Sequence, residues 1–200
     1  MSTQLLDERI RRLENRLVGH EPLGPSADIP FGVFVYEPAD ERELREQVRL
    51  LATRLGNEDE RVCVIDLGEL LWECLDAHPD GPDALAELED FGSPFNKVLQ
   101  EANRLVVGSK GVEDQYAPGP FEQRILDRVS CGEPAPTVVL LIRAGELFPI
   151  YRTSALLERL IGPLQIRTIL FYPGTKSGSA QLRFMGVCAP SPNYRAEILD

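Results

Sequence analysis

The chain has 200 residues, 43% of them apolar and 26% charged, with a formal net charge of −11. That is the composition of an ordinary folded domain, long enough to bury a sizeable core. No stretch reaches the roughly 18 consecutive apolar residues of a membrane-spanning helix. The N-terminal MSTQLLDERIRRLENRL lacks the apolar block of a signal peptide, so a cytoplasmic location is expected. The acids are unevenly placed: residues 1–100 hold 22 acids and 10 bases, residues 101–200 hold 10 acids and 11 bases. Such a balance opposes autonomous binding to DNA or RNA and suits the first half to a basic protein partner. A local arginine cluster in the second half remains able to meet an anion.

Apolar residues recur at Leu6, Ile10, Leu13 and Leu17, the spacing of an amphipathic helix that Gly19-His20 breaks. We read 1–20 as an appended helix, either folded back on the domain or docked on a partner, and 28–200 as a single domain. Phe31 to Tyr36 reads as a first strand. A helix follows, with Asp40 and Glu43 spaced as a capping box, an apolar stripe at Leu44, Val48, Leu51 and Leu55, and Gly56 at its end. RVCVIDL is a second strand, apolar on both faces as in a covered parallel sheet. Asp66 and Glu69 form another capping pair, starting a helix that runs to about His78. DALAELEDF, FNKVLQEANRLV and FEQRILDRVS read as helices, the last two separated by a Gly- and Pro-rich loop. PTVVLLIR is the strongest strand, RTSALLERLIGP a helix stopped by Gly162-Pro163, and QIRTILFY a further strand. This alternation predicts an α/β fold: a mainly parallel sheet with helices on both faces.

FYPGTKSGSAQLRFMG, residues 171–186, tests for a phosphate cradle. A P-loop places glycine before lysine and leads directly into a helix. Here Lys176 precedes Gly178, and Leu182 and Phe184 alternate with Gln181, Arg183 and Met185 at strand period. A C-terminal β-hairpin is predicted instead. VCVIDLGE superficially resembles a magnesium-binding strand, but capping by Asp66 accounts for it without a metal. Asp76, His78 and Asp80 carry ligand atoms, yet His78 also sits at a helix end, where a cation suits the dipole. The four cysteines (Cys63, Cys74, Cys131, Cys188) lack metal-ligand spacing and read as free thiols. His20 and His78 have no nucleophile elbow beside them. No catalytic residues, metal or cofactor are expected.

In parallel α/β sheets, sites form outside the carboxyl ends of the strands. Glu37-Pro38, Asp66-Leu67, Arg143 to Thr153 and Pro173 to Ser179 should gather there. LIRAGELFPIYRTS is an unusually long strand-to-helix junction with the aromatic and arginine groups that anchor interfaces. Arg143, Glu146, Tyr151, Arg152, Pro173 and Gly174 are therefore the candidate interaction residues, expected to be exposed. Against this stand plain bracing, with Thr153 or Ser154 capping a helix and Arg152 pairing with Glu146, and a degenerate nucleotide pocket around Asp66, Arg143 and Lys176.

The order of IPFGVFVYEPADERELREQV, VCVIDLGELLWECL, VVLLIRAGELFPIYRTSALLERL, ILFYPGTKSGSAQLRFMGV and NYRAEIL resembles the BrxB family of bacteriophage-exclusion (BREX) defence systems. Most specific are the junction with Pro149 and Arg152 before a leucine pair, and Phe171-Tyr172-Pro173-Gly174 followed by Leu182-Arg183. Lys176 and Ser177 are not part of the family pattern. The resemblance implies a small cytoplasmic α/β protein without known catalytic activity, acting beside a PglZ-like protein of the alkaline-phosphatase superfamily, an AAA+ ATPase and an adenine methyltransferase. It implies a bridging, scaffold role among such components. Self-association is left open by the sequence.

Overall fold

Two opposite crossover directions divide the helices between the faces of one sheet. In the computed structural model, which describes residues 3–23, 30–78, 81–90, 92, 94–108, 117–132, 135–177, 181–186, 188, 191–192 and 196–199, the order is α1 (Thr3–Val18), β1 (Phe31–Tyr36), α2 (Glu41–Asn57), β2 (Val62–Asp66), α3 (Leu67–Asp76), α4 (Gly81–Asp90), α5 (Phe95–Val107), α6 (Pro120–Ser130), β3 (Val138–Ile142), α7 (Thr153–Leu160), β4 (Arg167–Ser177), β5 (Gln181–Phe184), β6 (Ser191–Pro192) and β7 (Glu197–Leu199). Short 3₁₀ turns lie at Pro38–Asp40 and Ala144–Leu147. Five strands form the parallel body in the order β2-β3-β4-β1-β7. The chain jumps from β1 outward to β2, then steps back through β3 to β4. Right-handed crossovers in opposite senses put their helices on opposite faces.

The side chains follow from that topology and from strand period two. Phe34, Tyr36, Val138, Leu140, Ile169 and Phe171 face α1 and α2. Their alternates Val33, Val35, Val139, Leu141, Leu170 and Tyr172 face α3, α5, α6 and α7. The stripe Leu6, Ile10, Leu13 and Leu17 is buried in the first of these layers, so α1 folds back on the sheet. Arg54 on Glu14 at 2.6 Å, Arg16 on Glu197 at 2.8 Å and Arg9 donating to the Val35 carbonyl at 2.7 Å fasten it.

The α/β class, the parallel sheet and the hairpin appear as predicted; local details differ. The Asp40–Glu43 capping box does not form, because Pro38 starts a 3₁₀ turn that leaves Asp40 near helical dihedrals (φ −91°, ψ 6°) with no side-chain cap bond. Gly56 lies inside α2, and α3 stops at Asp76. Thr153 and Ser154 do not cap α7, whose N-cap position is Arg152, without a side-chain bond. β2 is the end strand rather than a strand covered on both faces, and its Val64 is 43% exposed. β7, parallel to β1 at the opposite edge, was not anticipated.

Candidate functional site

The carboxyl edge is built from the ends of β2, β3 and β4. Register pairs Asp66 with Ile142, which sets Arg143 beside Asp66. Asp66 Oδ1 accepts from the Gly68 and Glu69 amides at 2.9 and 3.0 Å, capping α3 as the sequence suggested. Its other oxygen accepts from Arg143 Nη1 at 3.0 Å, and Arg143 Nη2 reaches Glu146 Oε1 at 3.1 Å. Partial burial works against the Arg143 charge, but bonds to Asp66 and Glu146 outweigh it and raise its pKa further. Arg143 adopts left-handed dihedrals (φ 57°, ψ 38°), a sparsely populated region for a residue with a side chain.

Beyond the edge, β4 continues past Pro173 and turns back as a hairpin, with Gly174 paired to Phe184, Thr175 to Arg183, Lys176 to Leu182 and Ser177 to Gln181. No helix follows the loop; Gln181–Phe184 is strand. Gly178 and Ser179 lie outside the described residues. Lys176 stands three residues up the arm from Pro173, about 10 Å at strand rise. Among the described residues no group of three His, Cys, Asp or Glu is arranged to hold a metal ion. Asp80 is not among them.

The hairpin base leans on the strand-to-helix junction. Phe148 is 52% exposed and meets Phe184 with ring centroids 5.9 Å apart; Phe184 in turn packs edge-on against buried Tyr172 at 5.2 Å. Met185 is 38% exposed and, like Arg143, has positive φ (53°). Its sulfur approaches Gly145, as does the Pro173 ring. The result is an apolar ledge of Phe148 and Met185 at the hairpin base; Glu146 and Arg152, on the same strand-to-helix junction, are exposed.

Of the six residues singled out from sequence, Glu146 and Arg152 are on the surface and Arg143 is half-buried in its ion pairs. Pro173 and Gly174 are buried beneath the ledge. Arg152 does not pair with Glu146; Arg143 takes that place. The expectation of an exposed Tyr151 is corrected. It is 6% exposed, stacked edge-on against Phe121 at 5.8 Å, and its hydroxyl donates to Glu122, which is fully buried. Glu122 also accepts the Gly119 amide at 2.7 Å and faces Arg159 at 3.6 Å. Burial, reinforced by the adjacent carboxylate, raises the Tyr151 pKa and keeps the phenol a donor. Sequence reasoning did not single out Phe148 or Met185, although Phe148 lies within the junction LIRAGELFPIYRTS and the period-two pattern reaches Met185.

Fold and edge together define a mostly parallel α/β protein whose strand-end ion pairs close on themselves below an apolar ledge. A family model described as BrxB, "BREX protein BrxB", matches residues 64–199. A "BREX protein BrxB" from Bacillus cereus (strain H3081.97) is 27% identical over 190 residues, spanning 94% of this chain and 88% of the relative. The chain belongs to the BrxB family of BREX defence components. No solved structure matches it.

Proposed function

We propose that this protein is a non-enzymatic interaction subunit of a BREX assembly in the cytoplasm, bridging larger components such as a PglZ-like protein. One observation carries the reading. At the strand ends, where α/β proteins usually hold ligands, Asp66, Arg143 and Glu146 bond to one another and to a helix start, while Phe148 and Met185 present apolar surface to solvent. Closed ion pairs offer little to a phosphate or a substrate; exposed aromatic and thioether groups next to an arginine fit a protein partner. Family membership supports the setting, and among the described residues no helix is long and apolar enough to cross a membrane.

Tagged protein expressed with its own operon should retain the PglZ-like component at moderate salt. A Phe148→Ser, Met185→Ser, Arg152→Ala variant should lose it while remaining folded. Unchanged retention by that variant rules out the ledge as the contact. Calorimetric binding of ATP with magnesium tighter than about 1 mM would favour a nucleotide pocket instead.

A further inference from the structure

The two ends of the parallel sheet are treated differently. The β7 end is short, three residues, and its Glu197 is held by Arg16 at 2.8 Å. Brevity and charge of this kind blunt an edge against further pairing. The β2 end is longer, and its one charge, Asp66 at the last position, is taken up by Arg143 at 3.0 Å. Val62-Cys63-Val64-Ile65 carries neither charge, Lys nor Pro, and Val64 at its centre is 43% exposed. The arginine just before it is turned away: Arg61 Nε donates to the Ala135 carbonyl at 2.6 Å. Among the described residues no strand pairs with the outer side of β2.

Backbone register fixes which groups face outward. The Arg61 carbonyl accepts from the Val138 amide at 3.2 Å, and β2 pairs with β3 from Val62↔Val138 to Asp66↔Ile142. Alternation therefore turns the amides and carbonyls of Cys63 and Ile65 toward β3. Those of Val62 and Val64, with the Asp66 amide, point to the open edge.

We infer that β2 pairs antiparallel with β2 of a second copy of this chain, about a two-fold axis at Val64. In that register Val64 faces the second copy's Val64, and the Asp66 amide faces the second copy's Val62 carbonyl. The outward groups satisfy each other without a shift in either copy, which is the self-complementarity a two-fold interface requires. Cys63 comes opposite Ile65, whose side chain is already buried within its own copy. Two ion pairs, Glu46–Arg49 on α2 at 3.0 Å and Glu73–Arg128 between α3 and α6 at 2.5 Å, close within one copy; each copy carries a net charge of −11, so association should strengthen with added salt. The joined sheets turn their carboxyl edges in opposite directions and display one ledge at each end. This pairing is independent of what the ledge binds.

Light scattering on the purified full chain from about 1 to about 200 μM should show the mass rising toward twice the monomer. Val64→Lys, an exposed change that leaves the circular dichroism intact, should move the half-association concentration up by at least about tenfold. In a Cys131→Ser background, Val64→Cys should cross-link the dimer under mild oxidation, since hydrogen-bonded antiparallel partners have Cα atoms about 5.5 Å apart. Leu5→Cys, equally exposed but on α1, should not. A monomer at every concentration, association indifferent to Val64→Lys, or cross-linking as strong through Leu5→Cys each overturns the inference.

Discussion

The Tyr151 hydroxyl donates to the Glu122 carboxylate inside the protein, tying the strand-to-helix junction to a helix 29 residues earlier. Glu122 carries no solvent exposure, and the Gly119 amide and Arg159 complete its surroundings. Removing one partner of a buried polar group costs more than the bond itself contributes, because the other partner is left desolvated. Tyr151→Phe should lower the unfolding free energy by about 1–3 kcal/mol in urea titration. Glu122→Ala should cost more, about 3–5 kcal/mol, since it strands the Arg159 charge. A Tyr151→Phe loss within error of zero would mean that the hydroxyl is as well served by water.

Arg143 offers a test of backbone strain against ion pairing. Its left-handed dihedrals suit glycine, while its guanidinium holds Asp66 and Glu146. Arg143→Ala and Arg143→Gly both remove the ion pairs, but only the second relieves the Cβ. The glycine variant should therefore be more stable than the alanine variant by about 1 kcal/mol, the reverse of their order inside a helix. Thermal melts of the two side by side decide it.

Why these features differed in legibility is a matter of range. The hairpin was readable because Leu182 and Phe184 repeat at period two directly after a Gly- and Ser-rich stretch. The Asp66 cap was readable because its donors lie two and three residues away. Tyr151 was not: an aromatic among Arg and Thr reads as surface, and what buries it is Phe121 and Glu122, distant in sequence. Nor was the exposure of Val64, since the string VCVID is the same whether a strand is central or terminal, and only the order of strands decides. Phe148 and Met185 form a surface because the hairpin folds back over Gly145, a long-range event that neither segment announces alone.

Two glycines at the same edge should respond to a methyl group to different degrees. At Gly174 a Cβ would collide with the Arg183 carbonyl oxygen and stand 2.8 Å from the Tyr172 ring, with backbone and a buried aromatic unable to yield. At Gly68 a Cβ would stand 2.9 Å from the Glu146 Cγ, 3.1 Å from its Cβ and 3.3 Å from the Arg143 guanidinium carbon, side-chain atoms that yield only by straining the Arg143–Glu146 pair. Gly174→Ala should destabilise by about 2–4 kcal/mol, at or above the upper end for overpacking, and disturb the hairpin. Gly68→Ala, at the second position of α3, should cost less, about 1–2 kcal/mol, since side chains give way more readily than strand backbone and alanine favours the helix. Comparable losses at both sites would mean that β4 and β5 separate easily.

At the amino edge of the sheet, folding favours the charged form of one buried carboxylate, Glu60. Glu60 is buried and accepts from the Thr137 hydroxyl and from Arg167 Nη2 at 2.8 Å, with His20 Nδ1 at 3.5 Å; Arg167 also donates to the Leu17 carbonyl at the end of α1, at 2.6 Å. Burial alone would raise the Glu60 pKa, but the Thr137 and Arg167 bonds and the charges of Arg167 and His20 outweigh it and lower the value below the usual 4.5. A carboxylate whose folded pKa is depressed adds stability that is fully present above its unfolded pKa and is lost as pH falls through the folded value. The stability difference between the wild type and Glu60→Gln should therefore shrink as the solution is taken from about pH 5.5 toward about pH 3. Arg167→Met should abolish most of that dependence while loosening α1, seen as faster amide exchange in its last turn. A wild-type to Glu60→Gln difference that stays constant down to pH values where the other carboxylates titrate would show that Glu60 is no better stabilised when charged in the folded chain than in the unfolded one.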